Sequence, residues 1–212
     1  MKFALFGAGR IGALHAGTLA TMPDVELRYV SDPVAETARA TAAAAGAEVV
    51  EVDRALADPQ IRAVLIASST DTHAYLIERA ARAGKAIFCE KPIHLDVDRV
   101  RGCLAVVAEM EVALAVGFNR RFDPHFMEFK ARLDAGAIGT VEFVGITSRD
   151  PGPPPVAYIR VSGGIFRDMM IHDFDMARWL LGEEPVEVMA QASCLVDPEI
   201  GAAGDLDSAV VS

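Results

Sequence analysis

Asp168 and His172 stand four residues apart, a spacing that puts both on one face of a helix. A carboxylate in that relation can set the imidazole tautomer and stabilise its charged form. An imidazole that titrates near neutrality suits a general base. Lys91 lies between Glu90 and Pro92. A lysine beside a reacting oxygen can hold it and stabilise developing alkoxide charge, and its ammonium tends to keep an imidazole neutral and able to accept a proton. Oxidising an alcohol needs such a base, and it needs a fixed hydride acceptor. The acceptor is signalled by Gly7-Ala8-Gly9-Arg10-Ile11-Gly12, which fits G-x-G-x-x-G. Gly7 permits a tight turn, Gly9 lets a pyrophosphate approach the backbone, and Gly12 allows close packing of helix on strand. The helix that follows offers free N–H groups and a positive dipole end to the phosphates. Asp32 lies 20 residues beyond Gly12, where a carboxylate can accept from both ribose hydroxyls and would repel a 2′-phosphate. The pattern points to NAD in preference to NADP, with Arg10 able to soften that repulsion. Blander readings stand beside these: Asp32 as a plain helix cap, His172 as a core histidine, Lys91 as a solvated lysine.

These residues need a scaffold, and the apolar pattern supplies one. Short apolar runs at 2–6, 25–30, 63–67, 86–89 and 112–116 alternate with helical segments at 10–21, after 33, at 72–83 and at 96–109. Ser31 and Asp32 can cap the second helix ahead of Pro33, and Thr70 or Asp71 the third. Near-continuous apolar strands separated by helices predict right-handed βαβ units and a doubly wound parallel sheet of the Rossmann kind. The pattern changes near Phe118. Residues 124–134 and 164–181 read as helices, 141–148, 186–196 and 206–211 as strands, and 151–155 as a proline-rich loop. The expected organisation is a dinucleotide-binding α/β domain over 1–118 and a partial α+β domain over 119–212 with an open, mainly antiparallel sheet. The last strand pattern runs to Ser212 without a turn. It leads us to expect an exposed, partly unpaired sheet edge and a substrate pocket lacking part of its wall.

Composition narrows the function further. The formal charge of −10 disfavours nucleic acid and anionic membrane surfaces. No apolar run approaches a membrane span, and the opening run is too short for a signal peptide. Cys89, Cys103 and Cys194 are widely spaced and odd in number. They suggest neither a disulfide framework nor a metal site, and suit a reducing cytoplasm. His15, His73, His94 and His125 form no metal-ligand pattern.

Three further segments are specific: Glu90-Lys91-Pro92, Gly117-Phe118-Asn119-Arg120-Arg121-Phe122-Asp123-Pro124, and the stretch from Gly163 to Asp173. With the glycine turn, they make the chain resemble the glucose–fructose oxidoreductase and inositol dehydrogenase family, over its whole length. The second and third segments are most similar to inositol 2-dehydrogenases. The resemblance implies a catalytic set of Lys91, Asp168 and His172. It implies cofactor contacts from Gly7, Gly9, Arg10, Ile11, Gly12 and Asp32, from the loop bearing Ser68, Ser69, Thr70 and His73, and from Glu90 and Lys91. Much of the family carries an Asn where this loop has Asp71. The positions that resemble substrate contacts are Lys91, Asn119, Arg120, Asp150, Asp168 and His172. The activity implied is NAD-dependent oxidation of a secondary hydroxyl on a cyclic polyol, with myo-inositol the first candidate, in a homo-oligomer built through the second-domain sheet. An aldose substrate, or an NAD-binding protein without catalysis, remain as alternatives. Family members continue well past the length of this chain.

Overall fold

An apolar run with helices before and after it can satisfy its backbone only beside another strand, and both of its faces must then be covered. The first half of the chain meets both demands. In the computed structural model, which describes residues 1–212, β1 (Lys2–Phe6), β2 (Glu26–Ser31), β3 (Glu48–Val49), β4 (Ile61–Ile66), β5 (Ala86–Cys89) and β6 (Leu114–Val116) form one parallel sheet in the order β3-β2-β1-β4-β5-β6. The helices α1 (Arg10–Ala20), α2 (Ala35–Ala45), α3 (Val52–Ala57), α4 (Thr70–Arg82) and α5 (Val97–Glu109) connect them. Successive strand residues point to opposite faces. Ala4, Phe6, Val64 and Ile66 join Ile77 and Ala80 of α4 in one core, while Leu5, Val30 and Leu65 join Ala16 and Leu19 of α1 in the other. Strand order reverses between β1 and β4, which opens a crevice at their carboxyl ends. This unit spans Met1–Gly117.

The sequence pattern placed five of these strands. It did not place the two-residue β3 or α3 after it. The caps expected for two helices are also absent. The N-cap position of α4 is Ser69 and that of α2 is Val34, and neither helix has a side-chain cap. Asp32 is otherwise engaged: Oδ1 accepts from Val34 N at 2.8 Å and Oδ2 from Ala8 N at 2.7 Å. By contrast, Asp96 caps α5 through Asp98 N and Arg99 N.

The second unit, Phe118–Ser212, begins with a 3-10 turn at Asn119–Phe122. It continues through α6 (Pro124–Asp134), capped by Asp123, and α7 (Val156–Ser162). A π-helical turn, Ile165–Met169, then runs into α8 (Ile171–Leu181), which ends at the left-handed Gly182. β7 (Ala190–Ser193), α9 (Pro198–Ala202) and β8 (Ser208–Val211) follow. Three expectations need correction. Residues 141–148 alternate but belong to no strand, and Phe143 is 85% exposed. Alternation describes a face, whereas a strand also needs a partner ladder. The strand expected over 186–196 shrinks to Ala190–Ser193, because beyond it the Asp207 carboxylate accepts from Leu195 N, Val196 N and Asp197 N. The helix expected over 164–181 is divided, since Met170 N bonds to Ile165 O, five residues back, at 2.8 Å. β7 and β8 pair with each other alone, antiparallel. No helix is long and apolar enough to cross a membrane.

Ile77 is fully buried on α4 and packs on the sheet. Ile77→Ala should cost about 2–5 kcal/mol through lost transfer energy and the cavity left behind. A lower urea midpoint with an unchanged slope would register it, and a midpoint equal to the parent's would disprove the packing.

Candidate active site

The glycine turn lies where β1 meets α1, beside the point at which strand order reverses. A β-carbon on Gly7 would stand 2.3 Å from Ser68 N, and one on Gly12 would stand 2.0 Å from Gly7 O. Gly7 also has a φ of 93°. Both positions are closed to any side chain. Gly9 is the opposite case: a β-carbon there meets nothing within 4 Å, so open space lies over its backbone. Two glycines draw the backbone tight and the third leaves room for a bulky anion at a helix N-terminus, which fits a dinucleotide pyrophosphate. Arg10 is exposed and Ile11 half-buried at the start of α1. Asp32 reaches this turn from the end of β2 through Ala8 N.

The loop after β4 is tied to itself and to α4. Ser68 Oγ lies 2.6 Å from Thr72 Oγ1, and Thr72 N donates to Ser69 O at 2.9 Å. Ser69 is exposed and Thr70 half-buried. His73 is buried, with its two ring nitrogens against the carbonyl oxygens of Pro92 and Ser68.

Glu90 follows β5 and is joined to Lys91 and Pro92 through a turn whose Lys91–Pro92 bond is cis. His15 Nε2 of α1 donates to Glu90 Oε1 at 2.6 Å. Gly117, after β6, leaves the space this carboxylate fills: a β-carbon there would stand 2.9 Å from Glu90 Oε2. Burial alone would raise the Glu90 carboxyl. The His15 hydrogen bond and charge, then the Lys91 backbone N–H and ammonium, outweigh it and hold the group below the ordinary glutamate range. The role of His15 had no signal in sequence beyond its place one turn past the glycines.

In the second unit the π-helical turn carries Asp168, and α8 carries His172. Tyr158 of α7 donates its hydroxyl proton to Asp168 Oδ1 at 3.0 Å. The ring of Phe118 meets that of His172 edge-on, with centroids 6.4 Å apart. The turn itself starts at Gly164, whose φ of 76° and lack of a β-carbon admit the Asp205 carboxylate, which accepts from Ile165 N at 3.1 Å. Arg120 is paired with the buried Asp173, and Ser148 Oγ donates to the same carboxylate at 2.6 Å. The neighbouring Arg121 makes a two-point pair with the buried Asp175, its Nε 2.8 Å from Oδ2. Asn119 and Asp150 are exposed. Sequence reasoning named Arg120 but not its acid, and named neither Tyr158 nor Asp205.

Residues 1–118 match the family described as "Oxidoreductase family, NAD-binding Rossmann fold", and residues 126–212 match the GFO/IDH/MocA C-terminal domain. An inositol 2-dehydrogenase of Rhizobium meliloti is 59% identical over 211 residues, covering 100% of this chain and 64% of that protein. A myo-inositol 2-dehydrogenase of Thermotoga maritima is 47% identical, with 100% of this chain and 64% of that protein covered. This chain therefore spans less than two thirds of the length of these relatives. Among solved structures, a myo-inositol dehydrogenase from Corynebacterium glutamicum superposes with a TM-score of 0.94 at 45% identity, covering 100% of this chain and 63% of that one. A scyllo-inositol dehydrogenase from Lactobacillus casei with bound NAD(H) and scyllo-inositol gives 0.85 at 30% identity, covering 100% and 65%.

Gly12→Ala should force the turn apart and lower NAD affinity by at least about tenfold. Gly17→Ala, on the same helix but with open space at its β-carbon, should leave it unchanged. Calorimetric titration with NAD compares the two, and equal affinities would refute the close-approach argument. A second expectation concerns acid. Because the Glu90 carboxyl is depressed in the fold, its stabilising contribution is complete above its unfolded pKa and is lost as pH falls through the lower folded value. Between about pH 6 and about pH 3 the parent should therefore lose more unfolding free energy than Glu90→Gln. Parallel loss in both proteins would remove Glu90 as the source.

Proposed function

This chain belongs to the GFO/IDH/MocA family of oxidoreductases, and we propose that the protein it forms oxidises a secondary hydroxyl of a cyclic polyol, myo-inositol in the first instance, to the ketone. The observation that carries this reading is the 59% identity to an inositol 2-dehydrogenase over 211 residues. NAD, for which the glycine turn and Asp32 are suited, supplies the hydride acceptor when bound. His172 takes the hydroxyl proton in this reading. Asp168 orients the imidazole and stabilises its charged form, and is itself oriented by the Tyr158 hydroxyl. Lys91 holds the substrate oxygen and offsets its developing negative charge. Asn119 and Asp150, being exposed, are available to other hydroxyls of the ring. Arg120 enters chiefly by fixing its own short turn on α8 through Asp173. Asp32 favours NAD over NADP by its charge. The same reading includes a cytoplasmic location, supported by three free cysteines, and a homo-oligomer formed through the second-unit sheet, supported by the exposed Val186, Val188, Met189 and Val210 around it.

NADH formation followed by absorbance over inositol stereoisomers and common aldoses tests the proposal in the whole protein. Turnover with myo-inositol is expected, and His172→Ala should reduce it by roughly a hundredfold to ten-thousandfold while NAD affinity is kept. Turnover confined to aldoses would move the substrate to open sugars. Absence of NADH with every polyol, despite bound NAD, would leave a protein that senses the cofactor without using it.

A further inference from the structure

His73 is the least exposed of the buried polar side chains, at 2%. It sits in the first turn of α4, and each of its ring nitrogens meets a backbone carbonyl. Nδ1 lies 2.8 Å from Pro92 O and Nε2 lies 3.0 Å from Ser68 O. Carbonyl oxygens only accept and a neutral imidazole carries one N–H, so the two contacts are hydrogen bonds together only when the ring is protonated on both nitrogens. The two carbonyls belong to different loops. Ser68 opens the loop after β4, and Pro92 closes the Glu90-Lys91-Pro92 turn after β5. The imidazole therefore spans from one to the other, and neither nitrogen is left to reach a ligand.

The Pro92 contact has a further consequence. Lys91 sits between two residues whose backbones are held. On one side Glu90 N donates to Ile66 O at 2.9 Å, which fixes the turn to β4. On the other side is a proline, which has no N–H to donate. Its carbonyl is the single backbone group by which the residue after Lys91 can be tied down, and His73 is what ties it. We propose that His73 is a positioning residue: its ring clamps the Pro92 carbonyl and thereby fixes the backbone that carries Lys91, while the opposite nitrogen holds the Ser68 loop at a set spacing from that turn. The proposal rests on the role given to Lys91 above, and assigns His73 a reach into the cofactor end of the sheet through two backbone segments.

Two isosteric replacements separate the two halves of the clamp. Asn places an amide nitrogen where Nδ1 stands, and Gln places one where Nε2 stands. In the whole protein, His73→Asn should keep the Pro92 bond and release Ser68. NAD affinity should weaken, with kcat close to the parent's. His73→Gln should keep Ser68 and release Pro92. NAD affinity should hold while kcat falls by roughly tenfold to a hundredfold, as expected when a reacting group drifts by about an ångström. Amide hydrogen exchange in the 90–95 segment should accelerate in His73→Gln and not in His73→Asn. A purely structural histidine predicts the same losses in both variants, in step with melting temperature, and that result would overturn the proposal. If the parent turns over no polyol, the function proposed above fails, yet the exchange comparison and NAD titrations still decide the clamp. If both variants fail to fold, selective 15N-histidine spectra of the parent decide it. Protons on both ring nitrogens, protected from exchange, are expected, and an unprotonated Nδ1 or Nε2 would overturn the assignment.

Discussion

Three stretches of backbone meet at the carboxyl end of the sheet with no room among them for a β-carbon. The end of β1 lies against the start of the loop after β4, and α1 lies against the end of β1, each at a separation that only glycine allows. This close approach lets α1 begin directly over the crevice and aim its free N–H groups there. It also brings His15, one turn along α1, to the Glu90 carboxylate beyond β4. Glu90 is in turn accommodated by a further glycine, Gly117, at the end of β6. A chain of contacts thus runs across four parallel strands from one glycine to another, and most of the residues that bear on cofactor and hydride chemistry in the first unit hang from it.

The second unit reaches order by other means. Its helices are short and its sheet has two strands, so apolar burial is thinner, and carboxylates take over much of the bracing. Asp173 and Asp175 are buried against guanidinium groups, and Asp205 holds the first N–H of the π-helical turn. Asp207 gathers the amides of Leu195, Asp197 and Val196 and the Ser208 hydroxyl. Those bonds outweigh burial and hold its carboxyl well below the ordinary aspartate range. Some of the 30 acidic residues are therefore scaffolding, two of them buried against arginines. A count taken from composition does not separate these from the acids of the surface.

The difference between the units explains what could be read from the residues alone. In the first, both faces of every long strand are buried, so apolar runs and glycines report the fold directly. β3 escaped because two residues cannot display a period. The misplaced cap at Asp32 has another origin. Both its oxygens were taken, one by a residue 24 positions away, and local pattern carries no record of such a partner. In the second unit, alternation at 141–148 described a face without a ladder to join. The π-helical turn left no trace, because the four-residue separation of Asp168 and His172 in sequence reads the same whether the turn between them is α- or π-helical. The glycine turn, Asp32 and the Lys91 segment were legible as chemistry because their residue types are constrained by what they touch. His15, Tyr158 and Asp205 were not, since their meaning lies in partners elsewhere along the chain, and His73 was named only as a cofactor contact of its loop, with no sign of the two carbonyls its ring faces.

The paired arginines carry a lesson about descent. Arg120 and Arg121 are adjacent, and the acids that hold them, Asp173 and Asp175, lie two residues apart on α8. Loss of either arginine would strand a buried carboxylate, and loss of either acid would free a guanidinium beside a second one. Energies in such a cluster do not add. A lineage that altered one of the four would pass through a less stable protein before any second change could compensate. The four positions are thus expected to be inherited as a block, drifting together or standing still, while the exposed helix faces around them change one residue at a time.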